Sequence, residues 1–339
     1  MSERPASSEM LPPTAPVAPS SPRWRQALKP FASVPTPVLF LVAAAIAVVF
    51  LARRGRLAEI EPAMRSVSPW MVTAILTVYA ASIVLLCMRW QVLTRLAGGD
   101  PPFMKSAEVF LTSVIVNYAA PIGLAVPTRA ALTVRDLGLA PAQSAAVVGW
   151  ELIMDAGTLL LIGCFWLVFG GLEVLPGLIS SERMLLVLVL GVTVMVLAVA
   201  TLLFIPKLRR KLVEFVLPFL RYPVERPGEA VQAIVLTVIY WLMQMATMSA
   251  LLIALGVPFS VPLITGLMGF PVLIGMVSPV PGGAGIREAL MAAAAQVSGV
   301  ASAPVILAAV AYRLALFIVT PVIWSGLWLV RRIVARNAS

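Results

Sequence analysis

The sequence predicts an all-α polytopic membrane protein built as an inverted repeat around two Pro/Gly-broken re-entrant segments. Three observations predict it. Of 339 residues, 60% are hydrophobic and only 12% are charged, whereas a soluble domain is roughly half apolar and a quarter charged. Mean hydropathy is correspondingly high, at +0.99. Apolar runs near the roughly 20 residues that cross a bilayer recur along the chain. Two further apolar stretches are interrupted by Pro and Gly and share a residue pattern.

In chain order, residues 1–35 are rich in Pro, Ser and Ala, with Arg23, Arg25 and Lys29 near their end. They lack the composition to bury a core and read as a disordered cytoplasmic tail. They are not a signal peptide, because the first apolar run starts late and no small-residue cleavage site follows it. Spans are expected at about 37–52, 69–88, 143–170, 184–206, 229–255 and 304–330. The broken stretches cover about 103–138 and 261–298. The first holds Pro121, Gly123 and Pro127, and the second Pro279, Pro281, Gly282, Gly283 and Gly285. Each reads as a helix, a break and a second helix, buried among other helices at membrane depth.

Charge sets the expected topology. The net charge is +10, from 25 Lys and Arg against 15 Asp and Glu. Basic residues gather at span ends, as at Lys207, Arg209, Arg210 and Lys211 and at Arg331, Arg332 and Arg336. Both groups should face the cytoplasm, which places both termini there, in a prokaryotic inner membrane. The first broken segment then dips in from the cytoplasmic side and the second from outside. Arg53, Arg54, Arg56 and Arg65 fall in a loop expected outside, a mild breach of the rule. The basic segment at 207–226 should rest on anionic headgroups. Nucleic-acid binding is not implied.

The broken segments resemble each other. Pro121 and Pro279 each precede an Arg by eight residues (Arg129, Arg287), and a Leu follows three later (Leu132, Leu290). The spans that come next share an aromatic, a charge and a Leu: Trp150-Glu151-Leu152 in one, Tyr312-Arg313-Leu314 in the other. Repeats that enter from opposite faces are typical of transporters, with the breaks meeting near the midplane.

Ionisable groups at bilayer depth are costly, at least about 2.5–3.5 kcal/mol each on insertion scales, and mark a site or a structural pair. Arg129, Glu151, Asp155, Arg287, Glu288 and Arg313 are the candidates. Glu151 and Asp155 are four apart and share a helix face. Arg129 and Arg287 follow the breaks, where half-helix N-termini and guanidinium groups both favour an anion. Gly282, Gly283 and Gly285 would let backbone approach a ligand. Structural ion pairs, such as Glu151 with Arg313, would look the same in sequence. Arg89, Glu108 and Asp136 read as interfacial.

Several classes are excluded. The chain has no His, so His catalysis and His-ligated metal sites are absent. Cys87 and Cys164 fall in apolar runs and form no CxxC. No GxxxxGK[ST] or GxSxG is present. No cofactor, metal or enzymatic activity is expected.

Three elements carry a family resemblance: Arg89-Trp90 after a span, the stretch from Asn117 to Asp155, and Ser278-Pro-Val-Pro-Gly-Gly-Ala-Gly-Ile-Arg-Glu288 followed by Arg313. They resemble the lysylphosphatidylglycerol synthase transmembrane-region family. The resemblance covers about residues 37–330 and implies a flippase-like domain over 36–332, with a short tail at 333–339. It implies movement of an aminoacylated phospholipid or a polyprenyl-linked sugar between leaflets, with membrane lipids as partners. A glycosyltransferase or lipid-modifying synthase is a second implied partner, and a homodimer stays open. The chain lacks the family's aminoacyl-transferase domain. It also has Leu152 where Arg often follows the Glu, and no Arg two residues after Pro121. A secondary transporter of a small anion, a membrane-embedded enzyme acting on lipids and a non-catalytic partner of a glycosyltransferase remain as alternatives.

Overall fold

The computed structural model describes residues 67–119, 125–171, 219–278 and 283–337. The expected spans 37–52 and 184–206 lie outside the described residues, as do the N-terminal tail and Pro121, Gly123, Pro279, Pro281 and Gly282.

Among the described residues the chain is helical, without strands. Helix α1 (Pro69–Leu96) starts where Ser68 Oγ accepts the Met71 N–H at 3.3 Å and Pro69 fixes the first turn. Helices α2 (Phe103–Ala119) and α3 (Ala125–Leu137) replace the first broken stretch. Helix α4 (Pro141–Trp166) is prolonged by a π-helical turn at Leu167–Gly171. Helix α5 (Pro227–Ala254) follows. The second broken stretch becomes α6 (Val261–Met268), α7 (Phe270–Val277) and α8 (Ile286–Val297). Helix α9 (Ser302–Asn337) keeps Pro321 in its interior and runs into the expected tail at 333. Among the described residues, four helices are long and apolar enough to cross a membrane: Pro69–Leu96, Pro141–Gly170, Pro227–Ala254 and Ser302–Ile333.

Two boundaries differ from expectation. The second span does not end at residue 88, because Arg89 is only 1% exposed and paired, so α1 continues to Leu96. The second broken stretch carries an extra break at Gly269, whose missing side chain admits the Gly163 backbone of α4.

Helices α1 and α5 form the most extensive pair. The C-terminus of α1 meets the N-termini of α4 and α5. There Gln143 Nε2 donates to the Ala97 carbonyl at 2.8 Å and an Arg226 guanidinium nitrogen to the Arg95 carbonyl at 2.6 Å. The far part of α9 joins this end, with Arg331 paired to Glu108 of α2. Gly99 lies against Leu139, so the outer ends of α2 and α3 come together here too. This end is basic and ion-paired, with Arg95–Asp100 at 3.3 Å and Arg135–Asp136 at 2.6 Å. At the other end, Gly170 of the π-helical turn packs on Pro262 at the start of α6. Apolar side chains such as Leu161, Val231, Leu242 and Val322 clothe the outside, as a bilayer requires.

Gly283 packs closely against α7. Its φ is +65°, and an added Cβ would lie 2.5 Å from Gly275 Cα on α7. Gly283→Ala therefore combines backbone strain with overpacking, and a loss of about 1–3 kcal/mol is expected. Thermal unfolding in detergent measures it. Gly157→Ala, whose Cβ would meet open space, should unfold like the parent.

Candidate functional site

Helical geometry puts a set of charges at depth. Glu151 and Asp155 lie ten and fourteen residues into α4, about 15 and 21 Å along it. Thr237 and Trp241 lie equally far into α5. Arg89 sits seven residues before the end of α1, about 10 Å in. The hydrocarbon core is about 30 Å thick, so these residues gather near its middle.

The first cluster is built on Arg89. Its two terminal nitrogens donate to the two Asp155 oxygens at 2.5 and 3.0 Å, and one reaches Glu151 at 3.4 Å. Trp241 Nε1 donates to Asp155 at 2.9 Å, and the Tyr240 ring lies 5.6 Å from the guanidinium carbon. The second Glu151 oxygen accepts from Arg129, whose Nε donates to Ser113 Oγ at 2.9 Å. The Arg129 guanidinium lies over the Phe110 ring at 4.8 Å. Two cations thus meet two carboxylates, and the cluster is neutral.

The second cluster lies at the inner end of α8. Arg313 Nε is 2.7 Å from Glu288, and the other Glu288 oxygen accepts the Gly285 N–H at 2.7 Å. The side chain at the third helical position therefore already caps this half-helix. Arg287 lies over the Tyr312 ring at 5.0 Å. One of its terminal nitrogens is buried without a hydrogen bond, and no carboxylate of the described residues is paired with it. Two cations meet one carboxylate, leaving one positive charge in excess.

A chain of polar and aromatic groups joins the clusters. Tyr312 meets Tyr79 edge-on at 5.5 Å. One turn along α1, Ser82 Oγ lies 3.3 Å from Gln244 Oε1, and Gln244 Nε2 donates to the Tyr240 hydroxyl at 2.8 Å. Tyr240 then faces Arg89.

All six ionisable residues singled out in the sequence fall in these clusters. Glu151 and Arg313 do not pair with each other; each pairs within its own half, with Arg129 and Glu288 respectively. Gly283 is filled by the Gly275 backbone, whereas Gly285 has open space beside it. Trp150 packs flat on Phe219 at 4.5 Å. Glu108 and Asp136 are at the basic end. Arg89 is not interfacial: it is the hub of the first cluster. The sequence signal that finds it is the continuation of helix-forming, apolar-rich residues through Trp90 to Leu96.

Residues 38–323 match a family model described as the lysylphosphatidylglycerol synthase TM region. No curated protein and no solved structure matches the chain.

Removing one partner of a buried pair leaves a bare charge and costs about 3–5 kcal/mol. Arg89→Gln strands Asp155 and should lower the unfolding temperature in detergent sharply. Adding Asp155→Asn removes the stranded charge and should recover most of that loss. A double variant no more stable than the single one would contradict the pairing.

Proposed function

Because the chain belongs to the lysylphosphatidylglycerol synthase transmembrane-region family, we propose that it moves a lipid with an anionic or zwitterionic headgroup between the bilayer leaflets. It is a multi-pass membrane protein of a family concerned with lipid metabolism or flipping.

The observation that carries the reading is Arg287, a cation at depth with a buried donor and no carboxylate partner among the described residues. A charge left so is expensive in hydrocarbon, and a headgroup phosphate supplies the missing partner in the geometry that guanidinium prefers. In this reading Arg129 and Arg313, each held by a carboxylate, take the phosphate in turn as Glu151, Asp155 and Glu288 exchange partners. The two hairpins are re-entrant, they form an inverted repeat, and the basic end faces the cytoplasm of a prokaryotic cell. The protein is a carrier and not an enzyme. A glycosyltransferase or lipid-modifying synthase that supplies the lipid is the partner this allows.

A second observation favours a lipid over a small soluble anion. An apolar cavity of about 500 Å³ lies between α1, α5 and α9, lined by Ile75, Leu76, Leu251, Ala311, Leu314 and Ile318. Leu76 is one turn from Tyr79, and Ala311 adjoins Tyr312. The cavity thus lies along the stretches of α1 and α9 that carry Tyr79 and Tyr312, and it suits an acyl chain attached to the bound headgroup.

The test is reconstitution into vesicles with a fluorescent phospholipid whose outer-leaflet fraction is bleached by dithionite. Arg287→Gln should slow movement at least about tenfold, while Arg135→Gln at the exposed basic end should leave it unchanged. Movement at the parental rate in the Arg287 variant would sink the reading.

A further inference from the structure

Resting on the lipid-carrier reading, the charge balance of the site narrows the substrate class: we infer that the lipid moved carries a single net negative charge, as one phosphodiester with no compensating amine and no second phosphate. Among the described residues at membrane depth, four arginines (Arg89, Arg129, Arg287, Arg313) face three carboxylates (Glu151, Asp155, Glu288). The apolar runs 37–52 and 184–206 contain no ionisable side chain. The described site is therefore short of one negative charge.

The location of the shortfall is equally specific. In the repeat, Arg287 corresponds to Arg129 and Arg313 to Glu151. Arg129 meets Glu151 as an opposite charge, but Arg287 would meet Arg313 as a like one. The adjacent Glu288 takes Arg313 instead, and Arg287 is left over the Tyr312 ring. One cluster is thus closed on itself, and the other holds one cation that no carboxylate of the described residues neutralises.

Three headgroup classes follow different sums. A phosphodiester of charge minus one brings the buried set to neutrality. A zwitterion leaves the excess positive charge, and its ammonium finds every carboxylate already held by an arginine. An aminoacylated headgroup of net positive charge is worse placed still. A diphosphate overshoots and carries at least one unmatched negative charge into hydrocarbon. Each unmatched charge at depth carries a cost that corresponds to at least about tenfold in rate.

The experiment uses the full, unmodified chain in vesicles, so it needs no variant to fold. Three lipids with the same fluorescent acyl chain are compared: phosphatidylglycerol, phosphatidylethanolamine and a dialkyl diphosphate. A fourth arm follows uptake of the soluble diester glycerophosphoglycerol. Phosphatidylglycerol should move at least about tenfold faster than the other two lipids. If either of those moves as fast or faster, the single-charge inference is overturned, while lipid translocation stands. If no lipid moves but the soluble diester is taken up, the lipid reading falls and the charge inference holds for a soluble anion. If nothing moves in any arm, both fail.

Discussion

Every ionisable side chain inside a bilayer needs a partner, because hydrocarbon offers no water to screen it. In this protein that requirement is met around Arg89, which is 1% exposed and holds Asp155 with two hydrogen bonds while reaching Glu151. Three elements depend on the arrangement. Helix α1 must run past residue 88 to deliver the guanidinium, α4 must present two carboxylates four residues apart, and α5 must offer Trp241 to the same carboxylate. Helix α3 is drawn in through Arg129, which shares Glu151. A cluster with this many ties gives up a partner less readily than the other one does.

The other cluster is built with less redundancy. Glu288 both caps its own half-helix and pairs with Arg313, so its two oxygens are divided between two partners. Helices α6 and α7 are eight residues each and touch α4 and α8 through glycines at 163, 269, 275 and 283. Close backbone approach of this kind gives a tight fit with few side chains to repack when an element shifts. The tyrosines at 79, 240 and 312 lie between the two clusters. The proposed carrier action rests on this contrast between a saturated cluster and one that lacks an anion.

Much of this was legible in the residues. Pro and Gly interruptions marked both broken stretches, because a helix cannot continue through them without losing backbone hydrogen bonds. The six depth charges stood out against an apolar background. What was not legible was who pairs with whom. Arg89 looked like a span end because a charge after twenty apolar residues ordinarily is one; only the tertiary partners on α4 and α5 keep it inside. The Arg313 partner was hidden by a shift of one residue, from Arg287 to Glu288, which turns a helical side chain by about 100°. The break at Gly269 was invisible in a run of apolar residues, since its cause lies in Gly163 on another helix.

In the proposed carrier the two hairpins reach the midplane from opposite faces, and each supplies one partner to a long helix. Lys105 at the start of α2 and Gln296 near the end of α8 are both exposed, and they lie at the outer ends of the two hairpins. Single cysteines at these positions, with exposed Cys164 replaced and buried Cys87 kept, can be probed in oriented membrane vesicles with an impermeant maleimide. The account predicts that Lys105→Cys is labelled from the cytoplasmic side alone and Gln296→Cys from the opposite side alone. Labelling of both from the same side would contradict it.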